Sequence, residues 1–375
     1  MLAIRRIYSK ADKLKFVRFL WDVYANDPLW VPPLEMDRMK LIDEIKNPFY
    51  KHAEVAWFLA ENDGKIVGRI AAIINRTHNE VHHDKTGFFG FFECINDKAV
   101  AKALFTEAEN FLRSKGIASV QGPANPSSND EFGLLVEGFD RPPVLLMTYN
   151  PKYYIDLIQA AGYGKAKDLY AWLLSTETSR SEKLIRVTTE LQKRSGITIR
   201  GFDKKQFDSE VSKIKQLYNE AWEANWGFVP LTDEEFDFVA KDLKPIYDPN
   251  MILFAEKNGE TIGFALSLPD INQAFMAGPR IPKGALNLPV GLWNLLTKKK
   301  AIDTVRIVIL GLKKEYRGKG IDGMMYRETI DRAEKKGYKY GEASWILEDN
   351  NPMNRACEMM NAKKYKTYRI YEKQL

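Results

Sequence analysis

Val305–Tyr326, VRIVILGLKKEYRGKGIDGMMY, reads as a strand, a glycine-bearing turn and a helix. Val305 to Leu310 is a near-continuous β-branched and apolar run, suited to a mostly buried strand. Glu315-Tyr316-Arg317-Gly318-Lys319-Gly320 breaks it. From Ile321 the spacing predicts a helix, with Tyr326, Ile330 and Ala333 on one face and Lys335-Lys336-Gly337 at its end. Such a turn leaves main-chain N–H groups and the positive helix end facing outward, an arrangement suited to phosphate. Gly318 and Gly320 allow close approach, and Arg317 and Lys319 add charge. On the turn alone, a plain β–α connection remains an equal reading.

Further residues narrow the choice. Arg317-Gly-Lys-Gly320-Ile321-Asp322, followed by Gly323, resembles the [RQ]-x-x-G-x-[GA] pyrophosphate loop of the GNAT acyltransferase superfamily. Asp322 stands where that family has Gly or Ala. A carboxylate there either repels phosphate or turns aside and favours the helix start. A strand at Tyr340 to Leu347, then Asn350-Asn351-Pro352-Met353-Asn354, is similar to the family's segment beside the pantetheine arm. The resemblance implies acetyl-CoA or a longer acyl-CoA as co-substrate. It also implies main-chain groups of Leu310, Gly311 and Leu312, with Asn350 and Asn354, along that arm.

The halves of the chain resemble each other. Phe58-Leu-Ala-Glu-Asn-Asp-Gly-Lys-Ile-Val-Gly68 aligns without a gap with Leu253-Phe-Ala-Glu-Lys-Asn-Gly-Glu-Thr-Ile-Gly263. Each predicts a hairpin, turning at Asp63-Gly64 or Asn258-Gly259. Trp30-Val-Pro32 matches Phe228-Val-Pro230, Asn150-Pro151 matches Asn351-Pro352, and Lys165 and Tyr170 match Lys366 and Tyr371. The period is that of a domain. The expected fold is therefore α/β: two tandem GNAT-like domains, 1–178 and 179–375, each a mixed, largely antiparallel twisted sheet with flanking helices. A helix is expected from Gln206 to Asn225. In the first half no glycine loop separates the strand Gly87 to Glu93 from its helix, and Asn96-Asp97 offers a cap. One coenzyme per chain is expected, with the first half shaping the acceptor side.

Composition agrees. The chain has 375 residues, 45% hydrophobic, with a formal charge of +6. That charge is mild, so nucleic acid is not an expected partner; an anionic cofactor or membrane surface is compatible with it. Cys94 and Cys357 alone imply no disulfide framework and a reducing compartment. Without a signal-like N-terminus or an apolar run of about 18 residues, a cytoplasmic protein is expected; the family resemblance implies a bacterial one, free or peripheral at the inner membrane.

Two insertions interrupt the repeats. Residues 122–143 are polar and turn-rich, and Asn129, Asp130 and Glu131 are candidate acceptor-binding groups. Residues 269–300 hold Leu286-Asn-Leu-Pro-Val-Gly-Leu-Trp293-Asn-Leu-Leu296 and then Lys298-Lys299-Lys300. An apolar, Trp-bearing patch beside a basic cluster suits a membrane interface. The favoured reading is a helix packed on the core with a solvated basic end.

Transfer of an acyl group to an amine needs a base for the amine and an acid for the leaving thiolate. Glu348, at a strand's carboxyl end, is the candidate base. Cys357 stands where the family often has a Tyr; an inert buried thiol is the competing reading. Tyr365, Tyr368 and Tyr371 follow, and alternation lets only some of them reach a site, Tyr365 being the candidate. His78, His82, His83 and Asp84 hint at metal spacing, but surface histidines and no metal site are expected. The whole chain resembles large bacterial tandem-GNAT-like proteins through its Trp-Val-Pro-Pro, Asn-Pro-Phe and Asn-Asp-Glu-x-Gly-Leu-Leu segments. That resemblance implies N-acyl transfer to a small-molecule or lipid primary amine; Asp322, Cys357 and the absent loop of the first half speak for the rival reading, a fold kept for binding alone.

Overall fold

The computed structural model describes residues 1–222 and 225–375. Its first half runs β1 (Leu2–Ile7), α1 (Lys10–Val23), α2 (Glu35–Leu41), β2 (Ala53–Asn62), β3 (Lys65–Asn75), α3 (Arg76–His82), β4 (Thr86–Cys94), α4 (Lys98–Ser114), β5 (Ser119–Gly122), β6 (Ala124–Asn125), β7 (Glu131–Phe132), β8 (Leu134–Glu137), α5 (Tyr154–Ala160) and β9 (Gly164–Ser175). The second half runs α6 (Glu182–Ser195), β10 (Ile197–Gly201), α7 (Phe207–Trp222), α8 (Asp233–Leu243), β11 (Ile252–Lys257), β12 (Glu260–Pro269), α9 (Ile271–Met276), α10 (Asn287–Thr297), β13 (Thr304–Leu312), α11 (Ile321–Lys335), β14 (Tyr340–Leu347), α12 (Asn351–Met359) and β15 (Lys363–Gln374). The helix expected to reach Asn225 is seen to Trp222; residues 223 and 224 lie outside the described residues.

Both hairpins turn as the sequence requires. Asp63 and Gly64 have φ of 49° and 78°, and Asn258 and Gly259 have 51° and 82°. Positive φ at both central residues is the type I′ turn, whose twist matches that of paired strands.

By contacts the chain forms two units that interleave in sequence. Unit 1 comprises 1–169, 275–298 and 366–375; unit 2 comprises 170–274 and 299–365. A division at 178/179 follows the repeat, whereas the contacts follow strand pairing. In unit 1 the sheet order is β1-β2-β3-β4-β5, and the chain's last strand completes it. Tyr371 to Gln374 pair with Gly122 to Ser119, and Thr367 to Arg369 pair with β8. Residues 275–298 of the second insertion also belong to this unit. In unit 2, residues 170–175 of β9 lie beside β14, followed by β13, β12, β11 and β10.

Strand alternation divides the cores. In unit 1, Ala56, Phe58, Ile70 and Ala72 face Leu104, Phe105 and Ala108 of α4. On the other face, Trp57 and Phe91 meet Phe16 of α1 edge-on and lie tilted against each other. In unit 2, Leu253, Ala255 and Ile262 pack with Ile321, Met324 and Met325 of α11. No described helix is long and apolar enough to cross a membrane.

His78, expected at the surface, is buried instead. Its ring lies tilted at 4.4 Å from that of His82 and meets the Phe88 ring edge-on. Burial pushes its imidazole down to about 4 from the ordinary 6.5, against the pull of Asp84. The unfolded chain takes up this proton near 6.5 and the folded chain does not. Stability held above that pH is therefore lost as pH falls from 6.5 towards 4, by on the order of 3 kcal/mol. Urea melts at pH 7.5 and pH 5 should show about 2 kcal/mol of this loss, and His78→Phe should flatten it.

Candidate active site

In each unit the parallel strand pair opens like a wedge. In unit 2, β13 and β14 pair only from Thr304↔Tyr340 to Ile307↔Ala343. Beyond that point Leu310, Gly311 and Leu312 stay paired on their other edge, to Ala265, Phe264 and Gly263. Their remaining edge faces the opening. In unit 1, β4 and β5 likewise pair only from Thr86↔Ser119 to Phe88↔Gln121. There the protein's own chain fills the gap. Asn125 Oδ1 accepts from Phe91 N, and a Cβ on Gly90 would stand 1.8 Å from the Ala124 carbonyl oxygen.

The helices after the two wedges differ in the same sense. α4 begins at Asp97, whose carboxylate accepts from Ala99 N at 2.7 Å and Val100 N at 3.3 Å. Its positive end already holds an anion. α11 begins at Gly320, φ 78°, with no side-chain cap. Gly318 has φ 69°, and an added Cβ there would meet nothing within 4 Å. Arg317 Nε donates to the Leu312 carbonyl at 3.1 Å, tying the loop to the strand end. Lys319 is exposed and lies over the Tyr316 ring at 5.6 Å. Ile321 is buried and anchors the turn. A Cβ on Gly323 would meet Thr188 and Leu184 of α6 at ordinary contact distance. Asp322 adds its charge to burial in holding the Tyr326 phenol, one turn on, well above its ordinary range.

The asparagines are structural. Asn350 caps α12, accepting from Met353 N at 3.3 Å. Asn354 accepts from Trp172 Nε1 at 3.0 Å and donates to the Leu347 and Glu348 carbonyls. Glu348 lies in the turn after β14, half-buried. Cys357 sits in a core cluster with Trp172, Leu174 and Met360, where burial pushes its thiol up to about 12. That environment matches an inert thiol.

Tyr365 is half-buried and donates to Glu342 Oε2. Glu342 is fully buried on β14; its Oε1 accepts from Ser344 Oγ at 2.6 Å, and Ser344 Oγ accepts from Arg306 Nε at 3.2 Å. Arg306, the register partner of Glu342, lies 5.0 Å over the Trp345 ring. This polar quartet stands where β13 and β14 cease to pair. Sequence reasoning missed Glu342, Arg306 and Ser344. The available signal was one charge inside each of two adjacent strands that are otherwise apolar or small.

In unit 1 the first insertion is an ordered hairpin. Glu131 pairs with Arg38 and accepts from Asn125 Nδ2 at 3.1 Å. Asp130 accepts from Ser127 Oγ at 2.6 Å, and Asn129 N donates to that same hydroxyl at 3.2 Å. A cavity of about 40 Å³ lies beside it, lined by Phe89, Glu93, Asn125, Tyr149 and Tyr154 among others. Glu93 accepts from Tyr154 Oη at 2.7 Å and Tyr24 Oη at 3.0 Å, with Arg69 at 3.6 Å. Burial pushes its carboxyl up.

Comparison with known proteins agrees with this fold. Residues 211–360 match the Acetyltransferase (GNAT) family. A bacterial ceramide synthase of Caulobacter vibrioides (strain NA1000 / CB15N) is 36% identical over 381 residues, spanning 100% of this chain and 98% of its own length. Protein YghO of Escherichia coli (strain K12) is 35% identical, spanning 99% and 95%. Among solved structures, a tandem GNAT protein from the clavulanic acid biosynthesis pathway superposes with a TM-score of 0.58 at 9% identity, over 100% of this chain and 98% of that one. A GCN5-related N-acetyltransferase from Sphaerobacter thermophilus gives 0.52 at 13% identity, over 100% and 95%. At these identities the structural likeness concerns the fold alone.

Proposed function

We propose that this chain, which belongs to the GNAT family of acyltransferases, moves an acyl group from acyl-coenzyme A to a primary amine. The observation that carries the reading is the contrast between the two helix starts. α11 is uncapped, glycine-led and flanked by Arg317 and Lys319, whereas α4 is closed by its own Asp97. The residues present fit a pyrophosphate: two positive-φ glycines, free main-chain donors and two cations. Arg317, Gly318, Lys319 and Gly320 would hold it, with Ile321, Asp322 and Gly323 forming the first helical turn. The open edge of Leu310 to Leu312 would line the arm. The coenzyme supplies the activated acyl group and a thiolate that leaves. The chain's own part is proton handling at Tyr365 Oη, which the buried Glu342 orients. The ceramide synthase relative supports a lipid amine as acceptor, since ceramide is the N-acyl derivative of a long-chain amino alcohol.

Thermal melts with coenzyme A, acetyl-CoA and palmitoyl-CoA test the loop. Ligand at a hundred times its Kd stabilises by about 2.7 kcal/mol, which is readily detected. Arg317→Ala with Lys319→Ala should weaken coenzyme binding about 10- to 100-fold in calorimetric titration, through lost charge-assisted bonds. Unchanged affinity would place the phosphates elsewhere. Tight binding without turnover on a panel of amines would leave a ligand-binding protein.

A further inference from the structure

Helix α10 is built inside out. Its buried face is Asn287, Gly291 and Asn294, spaced i, i+4 and i+7. Asn287 Oδ1 accepts from Glu35 N at 2.7 Å, and its Nδ2 donates to the Pro282 and Pro33 carbonyls at 2.8 and 3.1 Å. Asn294 Nδ2 donates to the Pro279 and Phe275 carbonyls at 2.8 and 3.2 Å. Gly291 permits close packing, since a Cβ there would stand 2.3 Å from Leu34 Cδ2. The helix is fastened by polar bonds and a bare backbone, so its large apolar side chains are not needed for attachment. They face outward: Leu286 is 63% exposed, Trp293 61% and Leu296 79%, with Leu288 and Leu292 also exposed. A helix that packs on a core shows the opposite polarity. The reading of α10 as packed on the core holds for its asparagines and fails for its leucines.

Lys298, Lys299 and Lys300 follow this face directly, and none is buried. We propose that α10 is the docking surface for a bilayer carrying anionic lipid headgroups. Its leucines and Trp293 would enter the headgroup boundary while the lysines meet the lipid charge. At about 1.5 Å per residue the helix is roughly 16 Å long, so it lies in the interface plane and does not cross. Charge complementarity selects this occupant over a second copy of the chain. From Gly284 to Ala301 there is no acidic residue, so the segment offers itself nothing of opposite sign.

The test is co-sedimentation of the full chain with vesicles of phosphatidylcholine alone, and with about one third phosphatidylglycerol. Binding to the anionic vesicles is expected at about 50 mM salt, with release at about 500 mM. Lys298→Ala, Lys299→Ala and Lys300→Ala together should lower partitioning about a hundredfold. Trp293→Ser with Leu296→Ser should lower it by at least about tenfold. All five side chains lie outside the core, so the melting temperature serves as the check on folding. No sedimentation with anionic vesicles at low salt overturns the proposal. So does full binding by the Trp293/Leu296 variant. A dimer that this variant dissolves, with no vesicle binding by the parent chain, assigns the face to self-association and overturns it equally.

Discussion

Tyr365→Phe should lower kcat for acyl transfer by about 10²- to 10³-fold and leave coenzyme affinity unchanged. The hydroxyl is the only group lost, and positioned proton transfer is worth this much. Tyr365 reaches from β15 to a carboxylate with no exposure to solvent, itself bonded to Ser344 and, through it, to Arg306. That arrangement fixes the hydroxyl's direction and gives it an acceptor that water does not reach. Glu342→Gln keeps the shape and one acceptor oxygen, so a smaller loss is expected, about tenfold in kcat with KM unchanged. Loss through KM alone would make the pair a binding element. Full kcat in Tyr365→Phe would remove Tyr365 from the chemistry.

The largest loss of stability is expected from Glu93→Ala. Arg69 and Glu93 are both buried, and burial pulls the guanidinium down as it pushes the carboxyl up. Arg69 also donates to the Phe16 carbonyl and lies 4.6 Å over its ring, so it has no route to water. Removing the carboxylate leaves a buried cation unpaired, together with two tyrosine hydroxyls that had donated to Glu93. A cost of about 3–5 kcal/mol follows. For a unit of this size that lowers the melting temperature by roughly 10 °C. Glu93→Gln retains the tyrosine bonds and should cost less. Calorimetry on the full chain reads both, and equal melting temperatures for Glu93→Ala and the parent would show that the pair is not holding unit 1.

What the sequence made legible was local. Asp63-Gly64 and Asn258-Gly259 turn because those residue types accept positive φ, wherever the rest of the chain goes. Asp97 caps α4 from one residue away, and the loop from Arg317 to Gly320 lies between a strand and a helix that are contiguous with it. The hidden features depend on distant partners. β15 joins β5 across some 250 residues, and no pattern within either segment names the other. The leucines of α10 looked like core because apolar periodicity says that a face exists, not that a core covers it. Nothing within β14 names the partner of Glu342; Arg306 stands opposite it only through the register of β13 and β14.

The interleaving of the units bears on how such a chain descends. Residues 366–375, at the end of the second repeat, complete the sheet of unit 1, and residues 170–175, at the end of the first, stand in unit 2. Deleting either repeat therefore removes a strand from the sheet built by the other. Splitting the gene between the repeats would yield two products, each lacking an edge that only its sibling encodes. A copy whose strand wedge is filled by its own chain, as unit 1's is by Ala124 and Asn125, is not free to be discarded. It is inherited as the folding complement of the copy that stayed open.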